Sequence, residues 1–318
     1  MGFTSYLLRR LVLLIPVVLG ATIVVFSVVH VIPGDPAWAA LGFWAGQVQV
    51  EQWRKLMRLD QPIHMQYVYW LGDLLRGDLG KSFFTYRPVA EELARRAPIT
   101  AQLGVVALTI GMVVGIPAGI VSAVRKDSAY DRISRLVAVA GFSIPEYFLG
   151  MMLILIFGVY LAALPPGGFA SFQESPADNL TFLILPALSL GLPIAAVYSR
   201  FTRSGMLEIL DQDYIRTARA KGLAERLVIY RHALKNALIP IVTIIGMNIG
   251  YLMSGAVLIE TIFGWPGIGA YLYNGILSRD YPIIQGSVLV IAIVFVLSNL
   301  VVDLAYAFLD PRIRFGRD

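Results

Sequence analysis

Six apolar runs dominate this chain, at residues 11–33, 98–124, 133–164, 180–199, 237–259 and 281–302. Each is about 20 residues or longer, enough to cross the hydrocarbon core of a bilayer as a helix. That constraint overrides the length. At 318 residues, one or two soluble domains would be the default. Hydrophobic residues make up 57% and charged residues only 15%, against roughly 25% charged in a soluble domain. The chain reads as a polytopic membrane protein. It has no cysteine, so disulfides and thiolate metal sites are excluded. His30, His64 and His232 are scattered without ligand spacing. A net charge of +5 is accounted for by basic loops between spans and calls for no nucleic acid.

Arg9 and Arg10 precede the first run. That run exceeds the roughly 7–15 residues of a secretory apolar segment, so it reads as an uncleaved anchor. Pro33-Gly34-Asp35-Pro36 ends it, and residues up to 96 read as a small extracytoplasmic subdomain. That stretch holds Trp38, Trp44, Trp53 and Trp70, with an amphipathic segment at 50–58. Gly77-Asp78-Leu79-Gly80-Lys81-Ser82 ends like a phosphate-binding loop, but Leu75 stands where the motif needs its first glycine. It reads as a decoy.

Loops rich in lysine and arginine mark one side of the membrane: Arg9/Arg10, the segment from Arg125 to Arg135, the segment from Arg200 to Lys235, and the tail with Arg312, Arg314 and Arg317. By the positive-inside rule that side is cytoplasmic, with six spans and both termini inside. In the second run, Gly111, Gly115 and Gly119 recur on one helix face. Small residues in that register permit close helix approach, either within the chain or to a partner membrane chain. Pro117 is expected to kink that helix. The third run carries Ser143-Ile144-Pro145-Glu146 in its interior, where proline should bend or break it. Glu146 has two readings: a carboxylate near the inner end paired with a loop arginine, or an acid lining a cavity and facing a cationic substrate group. Ser143, Pro145 and Glu146 are the candidates for a translocation path. His30 reads as a packing residue. Glu260 and Asp303 read as helix-end or packing carboxylates.

The polar island at 213–240, DYIRTARAKGLAERLVIYRHALKNALIP, is the distinctive feature of the second half. It reads as a short helix, a turn at Gly222, and a second helix running into the next span. It resembles the cytoplasmic "EAA" coupling loop of ABC importer permeases, in the form of the dipeptide/oligopeptide family. Arg216-Thr217-Ala218 stand where the general pattern has Glu-Ala-Ala, and Gly222 matches its glycine. The missing glutamate departs from sugar-type permeases and fits the peptide-type subgroup. The S-x-P of the third run, the Phe263-Gly264-Trp265-Pro266-Gly267-Ile268-Gly269 turn and the D-P-R-I-R tail add to the resemblance.

The resemblance implies an all-α ABC type I importer transmembrane fold. Residues 1–96 would be the first helix with its subdomain, 97–308 a five-helix core with the coupling loop at 200–236, and 309–318 a cytoplasmic tail. Asp213, Tyr214, Arg216, Thr217, Ala218, Arg219, Ala220, Lys221 and Gly222 would meet an ATPase subunit. Implied partners are a second homologous permease, two ATP-binding subunits, an extracytoplasmic binding protein and membrane lipid. ATP and Mg would be held by those subunits, and this chain would carry no cofactor, no metal and no catalytic site. The implied cargo is a di- or oligopeptide, with oligosaccharide, glutathione or nickel as relatives' alternatives. From another class, an autonomous ion- or proton-coupled carrier would need ionisable groups at midplane, for which Glu146 is thin support. A membrane-bound enzyme would need a catalytic set that the sequence lacks.

Overall fold

The computed structural model describes residues 3–31, 35–42 and 44–309. Pro33, Gly34, the Asp303 side chain and the tail from 310 onward lie outside the described residues, so the readings that fall on them stay as expectations. Every regular element among the described residues is helical.

Helix α1, Phe3–Val31, is the first apolar run. The subdomain follows as α2 (Pro36–Leu41), α3 (Gln47–Leu56) and α4 (Ile63–Leu75). Asp35 caps α2 and pairs with Arg54 of α3. His30 reaches the Phe26 carbonyl at 2.8 Å and Gln66 at 3.2 Å, as a packing residue between α1 and α4.

Helix α5, Val89–Val124, is 36 residues long and passes unbroken through Pro98 and Pro117. The expected kink at Pro117 does not interrupt it. Helix α6, Ala129–Ser143, is followed by α7, Glu146–Leu153, which continues in π geometry over Ile154–Tyr160. Ile144 is extended (φ −83°, ψ 121°), as a residue before proline prefers. The third apolar run is therefore no single straight span: the two halves meet at 102°. Helix α8, Pro176–Leu210, extends 11 residues beyond Ser199, because Met206 continues its buried face through the polar stretch.

Next come α9 (Asp213–Ala220), α10 (Glu225–Leu227), a π segment (Val228–Ala233) and α11 (Leu234–Ala237). Helix α12, Ile239–Phe263, ends at Gly264 in the left-handed conformation. Helix α13, Ile268–Ser278, starts at the end of the turn read at 263–269 and was not itself legible in the sequence. Helix α14, Tyr281–Leu309, closes the fold.

Three described helices are long and apolar enough to cross a membrane unbroken, over Val89–Val124, Pro176–Leu210 and Tyr281–Val302. Two bent pairs, Ala129–Ser143 with Glu146–Tyr160 and Glu225–Ala237 with Pro240–Met253, and the shorter apolar stretch Val12–Val28 account for the other apolar runs.

The core lies between α5, α8 and α12. Leu103, Ala107, Leu183, Leu190, Ile194, Tyr198, Leu252, Ile259, Phe263 and Trp265 form one buried cluster. Gly111, Gly115 and Gly119 face Ile194, Ala195, Tyr198, Ser199 and Thr202 of α8. The glycine stripe thus serves packing within the chain.

The decoy loop is tied down as well. Ser82 Oγ donates to Asp280 Oδ2 at 2.6 Å, and the Phe83 amide donates to the same oxygen at 2.9 Å. These two bonds fasten the subdomain to the start of α14. Glu260 is fully buried, accepting from Thr100 Oγ1 at 2.6 Å and the Ala270 amide at 3.0 Å. It fixes the turn after α12, as a packing carboxylate should.

Candidate functional site: the basic elbow between α8 and α12

Helix α9 is amphipathic over two turns. Ile215 is fully buried and Ala218 nearly so, and these two residues stand three apart on one face. They pack on Ile120 and Ala123 at the end of α5, on Met206 of α8, and on Val228, Ile229, Ala233 and Ala237 of the second arm. The elbow is therefore seated on the ends of the bundle.

The opposite face is polar and open: Asp213, Tyr214, Arg216, Thr217, Arg219, Ala220, Lys221 and Gly222 are all exposed. Of the nine residues assigned to this surface from the sequence, eight lie on it. Ala218 does not: it belongs to the buried seam, and the correction follows from its helical register with Ile215.

The turn is a Schellman motif. The Gly222 amide donates to the Arg219 carbonyl at 2.9 Å, and the Leu223 amide donates to the Ala218 carbonyl at 3.4 Å. Gly222 has φ +75°, and a Cβ there would meet nothing within 4 Å. Its requirement is therefore conformational rather than steric. Leu223 and Ala218 join the same apolar cluster, which is the contact that accompanies this motif.

Two polar latches hold the arms together. Arg219 donates to both Glu225 oxygens, from Nη2 at 2.7 Å and Nε at 3.1 Å, across the Gly222 turn. The guanidinium holds the Glu225 carboxyl below its ordinary value through that hydrogen bond. The latch is thus intact above the free-carboxylate range near pH ~4.3 and is lost only as pH falls through the lower folded value. Tyr214 Oη accepts from Asn236 Nδ2 at 2.9 Å. Glu225, Asn236 and Ile215 escaped the sequence reading, since a pairing across a turn leaves no local periodic signal; only the 215/218 spacing was there to be read.

An open concavity of about 450 Å³ beside the turn is lined by Ala224, Arg226, Leu227 and Tyr230. Arg226 and Tyr230 are exposed there, so the concavity is rimmed by one basic and one aromatic side chain. Truncating the seam tests the seating: Ile215→Ala is expected to cost about 2–4 kcal/mol locally and to make the 213–222 segment protease-sensitive in detergent while the bundle stays folded.

The candidate path residues lie apart from this elbow. Ser143 and Pro145 are exposed at the α6–α7 break, and Ser143 Oγ donates to the Val139 carbonyl at 2.8 Å. Glu146 is half-buried and accepts from the Tyr251 hydroxyl at 3.1 Å. No arginine lies within ion-pair distance of it among the described residues. The loop-arginine reading of Glu146 is therefore corrected: Asp131, not Glu146, takes the arginine, because it sits at the α6 start where α8 presents Arg203.

The fold itself is that of a transporter's membrane subunit. An inward-facing MetNI methionine ABC transporter chain aligns with 69% of this chain and 96% of its own length, with a TM-score of 0.57 at 19% identity. The family description "Binding-protein-dependent transport system inner membrane component" matches residues 115–315, and its N-terminal counterpart matches residues 3–104. The chain belongs to this family and is an ABC importer permease. Similar relatives include the dipeptide transport system permease protein DppB of Alkalihalophilus pseudofirmus, 42% identical over 98% of this chain and 99% of its own. The glutathione transport system permease protein GsiC of Pectobacterium atrosepticum is 43% identical, and that of Escherichia coli strain K12 41%, with the same coverage. The peptide-type resemblance read from the loop is borne out.

Proposed function

We propose that this permease carries a di- or oligopeptide, or a peptide-like solute such as glutathione, across the cell membrane, driven at the elbow by two ATP-binding subunits. The likeness in name and length to dipeptide and glutathione permeases supports the cargo class. A second homologous permease completes the path, and an extracytoplasmic binding protein delivers the solute. ATP and Mg belong to the driving subunits, and this chain needs no cofactor of its own. The basic elbow faces the cytoplasm together with both termini, and six crossings satisfy the charge asymmetry of the loops.

The observation that carries the coupling assignment is the geometry of the elbow. Its exposed face is presented on a helix buried by Ile215 and Ala218, and its two arms run without a flexible linker into α8 and α12. A push on that face moves two long helices as rigid bodies. Asp213, Tyr214, Arg216, Thr217, Arg219, Ala220, Lys221 and Gly222 form the contact. Ser143, Pro145 and Glu146 line the path, with Glu146 facing a cationic end of the solute.

Arg216→Glu is the clean probe, because its only described partner, Asp213, is exposed and 3.4 Å away. Arg219→Glu additionally unlatches Glu225. Either reversal is expected to cut ATPase stimulation by loaded binding protein at least tenfold in reconstituted vesicles, with membrane insertion unchanged. Full stimulation in Arg216→Glu would remove the elbow from the coupling path. Uptake by this chain alone, without ATP-binding subunits, would replace the whole reading with an autonomous carrier.

A further inference from the structure

The elbow has two arms, and both lead to the same break in the bundle. The first arm, α9, follows directly on α8, which is continuous from Arg203 to Leu210 at the elbow's edge. Arg203 grips Asp131 at the start of α6, from Nε to Oδ1 at 2.6 Å and from Nη2 to Oδ2 at 2.9 Å. Asp131 is fully buried and also accepts from Ser122 Oγ of α5 at 2.5 Å and from the Asp127 amide at 3.0 Å. A bidentate pair fixes direction as well as distance. Parting it would strand a buried charge, so the pair resists separation. From Asp131, α6 runs uninterrupted to Ser143, where the chain breaks before Pro145.

The second arm is the run over Glu225–Ala237, which bends by 52° into α12. On α12, Tyr251 donates to Glu146, the first residue of α7 beyond the break. This hydrogen bond is exposed and single, so it is made and broken far more readily than the buried pair.

We infer that the break at 143–146 is the hinge of the transport cycle, held to one arm of the elbow by Arg203–Asp131 and to the other by Tyr251–Glu146. The inference rests on the coupling role of the elbow and adds the route by which its motion reaches the path. Arg203, Asp131 and Tyr251 are positioning residues. The buried pair makes α6 follow α8. The exposed bond lets α7 exchange its hold on α12, and extended Ile144 absorbs the difference in angle.

Because this chain has no cysteine of its own, labels can be placed on it at chosen positions in the reconstituted importer, with the other subunits used in cysteine-free form. Val139→Cys and Met247→Cys place spin labels at exposed positions on α6 and α12. A nucleotide-dependent change in the distance between them is expected. In the added pair Asp131→Asn with Arg203→Gln, that change should disappear and uptake per ATP hydrolysed should fall at least tenfold. Arg203→Lys, which keeps the charge, should restore part of both. Should the double variant fail to insert, Tyr251→Phe carries the test, since it removes one exposed hydroxyl. Uptake per ATP is then expected to change at least threefold with an altered distance distribution. An undiminished distance change in the double variant, or an unaltered ratio and distribution in Tyr251→Phe, overturns the hinge. Gly222→Pro separates the two readings. If it blocks uptake while the clamp variants stay normal, only the hinge is lost. If it leaves uptake and the distance change intact, the elbow assignment falls.

Discussion

Gly222→Pro is expected to abolish uptake while leaving the protein inserted in the membrane. Gly222 sits at φ +75°, and a proline ring holds φ near −65°. The substitution also removes the amide that donates to the Arg219 carbonyl and closes the Schellman turn. With the turn opened, Leu223 leaves Ala218, and the Arg219–Glu225 latch loses its geometry. The apolar helices are untouched, so expression and insertion should match the parent. Stimulation of ATP hydrolysis by loaded binding protein should drop to the unstimulated level. Gly222→Ala is the calibrating control. Nothing crowds its Cβ, so it meets only the left-handed penalty of about 1–2 kcal/mol. Partial coupling is expected from Ala, and near-parent coupling from Asn, which tolerates that conformation. Equal behaviour of Pro and Ala would contradict the conformational account.

The second large effect is on stability. Gly115→Leu is expected to lower the thermal midpoint of the detergent-solubilised chain by roughly 5 °C or more, or to prevent its accumulation. A Cβ at Gly115 would collide with the Ala195 carbonyl oxygen and stand 2.9 Å from Ala195 Cα. These are backbone atoms of α8 and cannot turn aside, so the helices must part. Parting also opens the contacts at Gly111 and Gly119, which face the same helix. Overpacking of this kind typically costs about 1–3 kcal/mol, and a bulky side chain against backbone lies at the upper end. Gly104→Ala, on the same helix, is the contrast. Nothing lies within 4 Å of its Cβ, and it should be neutral or gain up to about 1 kcal/mol. A parent-like midpoint for Gly115→Leu would show that the stripe does not pack as described.

Much of the elbow was legible in the chain, and for a local reason. A polar island between apolar runs announces exposure, and a glycine between two helical patterns announces a left-handed turn. The stripe of three glycines announced close helix contact, though not with which helix. What escaped were pairings between distant residues. Ser82 and Asp280 meet across 198 positions, Asp131 and Arg203 across 72, and Glu146 and Tyr251 across 105. The inward turn of Ala218 also escaped, although its spacing from Ile215 held the clue.

Hydropathy and helical period act within a few turns of one segment. By themselves they determined that this chain lies in a membrane as helices, and where its polar elbow must emerge. Which carboxylate takes which arginine, and which helix the glycines admit, depends on how finished helices cross. Only the tertiary structure decided those, because a buried charge or a missing Cβ selects its partner by position in the packed bundle rather than by its neighbours in sequence.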